Sequence, residues 1–257
     1  MRIEACAYTH VGLNRDNNED NYYLCGKYRT DTDKTIDWNT WQGSADHALF
    51  AVCDGMGGVE YGELASLAAV SALKPLEGMP FSEAAMQNVS RTNASVCAAK
   101  EAVGSSRAGT TLAALSIENG QAMAYGVGDS RVYLLRDDRF VQLTVDHTVV
   151  QCLVEMGCLT QEEAKTHPDR NKITQYIGND DKFIVFEPSF SETLTLQDGD
   201  IFLLCSDGLT DMVEDACLKN LLQTELQPET QCGRLIQAAL ENGGRDNTTV
   251  MVVRITA

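Results

Sequence analysis

The stretch SIENGQAM, residues 116–123, decides the fold. Asn119-Gly120 separates two short apolar runs, at 111–117 and 122–127, and both residues tolerate the positive φ of a type I′ turn. The pair predicts a β-hairpin, hence antiparallel neighbours and not the crossovers of a doubly wound parallel sheet. Asp137-Asp138, after the run at 131–135, predicts a second hairpin. Further strand-length runs lie at 48–53, 201–205 and 248–255. Both alternating positions are apolar in each, so every strand should be covered on two sides, by another sheet within and by helices without. Helix-like segments fall at 62–76, at 82–102 with Ser82 as N-cap, at 147–156, and at 228–240 with ENGG as the stop.

These signals predict an α+β fold: a central sandwich of two antiparallel β-sheets flanked by α-helices on both outer faces (αββα), as a single domain over 1–257. The segment GKYRTDTDKTIDWNTWQGSAD, at 26–46, is polar and holds both tryptophans, so it reads as an irregular surface insertion.

Composition narrows the function classes. With 44% hydrophobic and 22% charged residues the chain is ordinary for a globular protein, and no apolar run approaches the roughly 18 residues of a membrane span. MRIEACAYTH does not read as a signal peptide, so a cytoplasmic protein is expected, with no membrane partner. The nine cysteines form no C-x-x-C pair, and Cys53 and Cys205 sit inside apolar runs, which predicts buried thiols. The formal charge of −17, from 20 basic and 37 acidic residues, argues against nucleic acid. A small anionic substrate is still compatible where bound cations neutralise the acids locally.

Two apolar runs end in an acid followed by glycine: LFAVCDGMGG at 49–58, with Asp54, and IFLLCSDGLTD at 201–211, with Asp207. Asp129 in GVGDSR and Asp246 in GGRDNTTV also lie near glycine, and NRDNNEDN supplies Arg15, Glu19 and Asp20. A single Asp-Gly is usually just a turn. Several carboxylates at the ends of buried strands can instead face one cleft, where they repel one another unless a cation lies between them. All-oxygen ligation selects Mg²⁺ or Mn²⁺ over zinc, and glycine lets a backbone carbonyl approach the ion. Two such ions roughly 3.5–4 Å apart make water a nucleophile toward phosphorus near neutral pH, with an arginine, here Arg15, to clamp the phosphate oxygens. The chemistry that emerges is metal-assisted hydrolysis of a phosphate ester.

The motifs HVGLNRDNNEDNYY, LFAVCDGMGGVEYGELAS, AGTTLAAL, AYGVGDSRVYLL, LTVDHTVV, LLCSDGLTD and GGRDNTTVMVV follow one another over nearly the whole chain. In this order they resemble the metal-dependent Ser/Thr phosphatases of the protein phosphatase 2C family, bacterial type. The resemblance implies two Mn²⁺ or Mg²⁺ ions and a third, weaker one. Asp54 would bridge the two ions with the Gly55 carbonyl on one of them, while Asp207 and Asp246 bind the other. Glu19 and Asp20 would hold metal-bound waters, or ligate directly as in some members, with Asn247 in support. Asp129 would join Asp207 at the third ion, and Arg15 would bind phosphate. The segment 146–178 matches the family's flap. One departure is Met56, where animal members often carry a histidine offered as general acid; methionine cannot donate a proton.

The implied substrates are proteins phosphorylated on serine or threonine by a Ser/Thr kinase, and a monomer is expected. The alternative is a non-catalytic relative that binds phosphoproteins. Loss of a metal-bridging acid or of the phosphate arginine would mark it, and all are present. Other phosphatase chemistries fail on the text. No cysteine has arginine six residues later, and DTDKT at 31–35 follows a polar stretch where an aspartyl-phosphate motif needs a buried strand.

Overall fold

The computed structural model describes residues 1–56, 61–180, 186–224 and 226–257. In chain order these form β1 (Arg2–His10), β2 (Asn21–Leu24), β3 (Ile36–Ser44), β4 (His47–Cys53), β5 (Gly55–Met56), α1 (Gly62–Ala72), α2 (Phe81–Ala102), β6 (Gly109–Thr110), β7 (Leu112–Glu118), β8 (Gln121–Val127), β9 (Arg131–Arg136), β10 (Arg139–Gln142), α3 (Val149–Glu155), α4 (Gln161–Thr166), β11 (Ser189–Phe190), β12 (Leu194–Thr195), β13 (Ile201–Cys205), α5 (Asp207–Thr210), α6 (Asp215–Leu222), α7 (Pro228–Glu241) and β14 (Thr248–Thr256).

Strand β4 shows how the layers arise. Its alternation sends Ala48, Phe50 and Val52 to one side, where they pack with Ile3, Leu115, Phe202 and Met251. Leu49, Ala51 and Cys53 go to the other and meet Ala65, Ala69, Val89 and Val96 of α1 and α2. A continuously apolar strand thus serves two cores. The same split on β13 and β14 puts Leu204 and Val253 between the sheets. Leu203, Cys205, Val250 and Val252 pack outward, against Leu209, Leu218, Leu235 and Ile236 of α5, α6 and α7.

One sheet has the order β10-β9-β13-β14-β1-β3; the other runs β11-β8-β7-β4-β2, with β12 also on β8. A two-residue ladder joins β5 to β6. All of these strand pairs are antiparallel. The αββα expectation holds. The β7–β8 hairpin turns on Asn119 and Gly120, whose φ values are 50° and 74°, and the β9–β10 hairpin turns on Asp137 at 53°.

The expected surface insertion at 26–46 is corrected in its second half. Residues 36–44 are a nine-residue strand paired along its length with β1, from His10 opposite Ile36 to Arg2 opposite Ser44. As an edge strand with one solvated face it needs no second apolar row, so its text looks polar. Trp41 points inward onto Phe50, edge to face at 5.6 Å, while Trp38 is exposed. Ser82 is not an N-cap: α2 starts one residue earlier, after Pro80, whose φ of −53° is preset for a helix start. The third helix starts later than expected, at Val149, where Thr148 caps it by accepting from the Gln151 N–H.

All nine cysteines are free, and Cys53 and Cys205 are buried as expected. No helix among the described residues is long and apolar enough to cross a membrane.

Candidate active site

The acids lie just after β4, β8 and β13, just before β14, and in the 11–20 segment that crosses between the sheets. Asp54 follows β4 directly, and its backbone is pinned on both sides. Its N–H donates to Thr111 Oγ1 at 2.9 Å, and its carbonyl accepts from Thr110 Oγ1 at 2.8 Å and from the Thr111 N–H at 2.9 Å. Asp207 opens α5 straight after β13. The two carboxyl groups lie within hydrogen-bonding reach of each other. Residues 153 positions apart in the sequence therefore meet in one pocket.

Asp20 is fully buried beside them. Its Oδ2 accepts from Ser206 Oγ and Thr249 Oγ1, both at 2.7 Å, whereas its Oδ1 has no hydrogen-bond partner. Asp129, only 7% exposed, follows β8 and faces the charges of Asp207 and Asp146. Glu19 is half-buried; its carboxylate rests against Gly62, where an added Cβ would lie 2.6 Å from its Cδ. Asp246 is more open, and its Oδ2 accepts from Arg15 Nη2 at 2.7 Å. Asn247 is the clamp of the set. Its Oδ1 accepts from the Glu19 N–H at 2.8 Å, and its Nδ2 donates to the carbonyls of Val11 and Asn17 at 2.9 and 2.8 Å.

Neither glycine of the two Asp-Gly pairs serves a left-handed turn, since Gly55 and Gly208 are not among the positive-φ residues. Both are there for close approach. A Cβ on Gly55 would overlap the carbonyls of Gly62 and Glu19, and one on Gly208 would overlap the carbonyl of Asn247.

Electrostatics records the crowding. Burial, and then the charges of Asp20, Asp207 and Asp129, hold the Asp54 carboxyl well above the usual carboxylate range. Burial raises Asp20 to about 7 despite the Thr249 and Ser206 hydroxyls, which favour its charged form. Asp207 is raised to about 6 by burial, then by Asp211 and Asp246. Asp129 is pushed well up by burial and by Asp207, and Glu19 upward by burial and by Glu63. Protons on these carboxyl groups offset their mutual repulsion, which is the role a cation would take over.

The donor set fits a hard divalent ion. It is all oxygen, it is too negative to stay fully ionised alone, and one buried carboxylate oxygen lacks a partner. It is not a finished cage. Among the described residues no three acid, histidine or cysteine side chains are so arranged that they could hold one ion, and Asp246 is engaged by Arg15 instead. Gly57 and Gly58 of the DGMGG motif lie outside the described residues.

Several supports were invisible in the sequence. Ser206 and Thr249 hold Asp20, Thr110 and Thr111 hold Asp54, and no local signal separates them from other strand-end hydroxyls. Asp146 and Arg131 form a forked ion pair, at 2.7 to 3.0 Å, that ties the start of the 146–178 segment to β9. The same segment reaches the pocket rim, where Asn171 Nδ2 donates to Asp211 Oδ2 at 2.8 Å. His147 accepts from the Gly128 N–H through Nδ1 at 3.1 Å.

The sequence model of the family described as Protein phosphatase 2C matches residues 9–248. Protein phosphatase PhpP of Streptococcus pneumoniae is 33% identical over 98% of this chain and 97% of its own length. The crystal structure of the Mycobacterium tuberculosis serine/threonine phosphatase PstP/Ppp superposes with a TM-score of 0.83 at 33% identity, covering 100% of both chains. The catalytic domain of PstP in complex with two manganese ions gives 0.79 at 32% identity, again over 100% of both. With that match spanning the strands and acids described above, the chain belongs to the protein phosphatase 2C family and is a serine/threonine protein phosphatase.

Proposed function

We propose that this chain, acting as a single catalytic domain and a monomer in the cytoplasm, hydrolyses phosphoserine and phosphothreonine in proteins that a Ser/Thr kinase has modified. We further propose that it does so with two Mn²⁺ or Mg²⁺ ions, a third binding more weakly, by direct in-line attack of water and without a phosphoenzyme. The observation that carries this reading is the contact between Asp54 and Asp207, with Asp20, Asp129 and Asp246 within range of their charge. The manganese complex of PstP supports the choice of ion.

Asp54, the Gly55 carbonyl, Asp207 and Asp246 are the groups that would hold the two ions, with Asp129 beside Asp207 for the third. When bound, the ions supply Lewis acidity that makes water nucleophilic near neutral pH and draws charge from the phosphate. The chain's own residues do the rest. Asp20, fixed by Ser206 and Thr249 at Oδ2, keeps Oδ1 free to accept a hydrogen bond from water. Glu19, seated on Gly62, and Asn247, which fixes the Glu19 backbone, hold the opposite rim. Arg15 donates to Asp246 through Nη2 alone, so Nε and Nη1 remain to take phosphate oxygens. No thiol takes part, since Cys53 and Cys205 point into the helix-side cores and burial raises both, Cys205 to about 12.

A phosphothreonine peptide assay tests the reading. Phosphate release should need added Mn²⁺ and should fall by roughly 100-fold or more in Asp207→Asn, since even residues that only support a ligand cost 10–100-fold. Equal rates with Mn²⁺, with a chelator and in Asp207→Asn would overturn it. Peptide binding without turnover would favour the phosphoprotein-binding alternative.

A further inference from the structure

The bulkiest of the fully buried side chains is a cation outside every motif named above. Arg29 is 2% exposed and belongs to the 26–46 segment read from the sequence as an insertion. A buried guanidinium is costly unless its donors are satisfied. Here they go to backbone carbonyls. Nη2 donates to the carbonyls of Asn18 at 2.6 Å and Asp20 at 2.8 Å, and Nη1 to those of Lys34 at 2.6 Å and Thr32 at 3.4 Å; Nε alone is left without a partner.

The main chain of Arg29 is fixed to the same place. Its N–H donates to Asn21 Oδ1 at 3.1 Å, and its carbonyl accepts from Asn21 Nδ2 at 3.0 Å. The 29–34 stretch is thereby locked onto residues 18–21, which carry Glu19 and the buried Asp20. The carboxylates whose charge bears most on Arg29 are Asp20, Asp37 and Asp31.

We propose that Arg29 is a positioning residue for the metal centre: its forked hold on the Asn18 and Asp20 carbonyls fixes the backbone from which Glu19 and Asp20 face the ions. The inference rests on the metal-binding reading given above and deepens it. A loop-tying arginine with no bearing on the site is the plain competing explanation, and so is a purely electrostatic effect. The electrostatic one has the opposite sign, because removing a nearby positive charge should tighten the binding of Mn²⁺. Loss of positioning should weaken it.

The test is calorimetric titration of the full chain with Mn²⁺, beside thermal melting without metal, for the wild type, Arg29→Met and Arg29→Lys. Leu235→Ala, which removes a buried side chain of α7 from the core on the outer face of the β13–β14 sheet, controls for lost stability alone and should keep wild-type affinity. Arg29→Met should bind Mn²⁺ roughly tenfold or more weakly while still folded. Arg29→Lys keeps the charge but cannot span two carbonyls, and it should lose about threefold. If the methionine variant does not fold, the lysine variant decides alone. Wild-type or tighter affinity in either folded variant overturns the proposal, as does an equal loss in Leu235→Ala. Absence of Mn²⁺ binding by the wild type would instead defeat the metal reading itself.

Discussion

Asp207-Gly208 sits where one added methyl group cannot fit. The Cβ of an alanine at 208 would overlap the carbonyl oxygen of Asn247, whose side chain clamps Val11, Asn17 and the Glu19 backbone. Backbone cannot yield as a flexible side chain can, so Gly208→Ala should cost about 1–3 kcal/mol in urea unfolding and weaken Mn²⁺ binding in parallel. Unchanged stability and affinity would show that the contact relaxes freely. The acids themselves were legible because a carboxylate ending a buried run has few bland explanations once several recur. The reason for their glycines was not legible. Asp-Gly reads as a turn, and only packing reveals that both glycines make room for another backbone. Ser206 and Thr249 escaped for a related reason: a hydroxyl becomes a carboxylate's partner only through a neighbour some 200 residues away in the chain.

Among the elements, strands buried on both faces announced themselves and edge strands did not. The ranges of β4, β8, β9, β13 and β14 match the apolar runs to within a residue or so, and Asn119-Gly120 forms the hairpin that its sequence predicts. Strand β1 alternates with polar residues. Strand β3 is half solvated, and its register comes from β1 rather than from its own pattern. The short helices α4, α5 and α6 span too few turns to show a period; α4 is marked only by the Thr160–Glu163 capping box. Residues 30–41 hold most of β3 and two of the carbonyl partners of Arg29, Thr32 and Lys34, so they form part of the fold and not a removable loop. The two tryptophans of this strand test the difference. Trp41→Ala, which strips the edge-to-face contact on Phe50, should lose about 2–3 kcal/mol, somewhat below the range for a fully buried aromatic. Trp38→Ala, on the exposed face, should stay within about 0.5 kcal/mol of wild type. Equal losses in urea titrations would mean that the strand's inner face is not a working part of the core.

At the scale of the whole molecule, net charge and the acid pocket act in the same direction and must be separated. Without ions, Asp20 and Asp207 titrate near 7 and 6 when folded, against roughly 3.9 for an unfolded aspartate. The folded state therefore holds protons more tightly than the unfolded chain. The stabilisation from those protons is fully present below pH 4 and is lost as pH rises through 6 and 7. Overall repulsion at a formal charge of −17 also grows as acids ionise, but it is long-ranged, and at 1 M salt the screening length is only ~3 Å. A buried cluster is much less screened. In a chelator and 1 M salt, the melting temperature should still fall between pH 5 and pH 8, and Asp20→Asn should flatten that slope. Mn²⁺ binds the deprotonated form, so the rise in melting temperature that it produces should be larger at pH 8 than at pH 5. A chelated protein whose melting temperature is flat or rises over that interval would mean that the acids are not crowded as described. A manganese shift that is equal at both pH values would mean that the ion binds away from them.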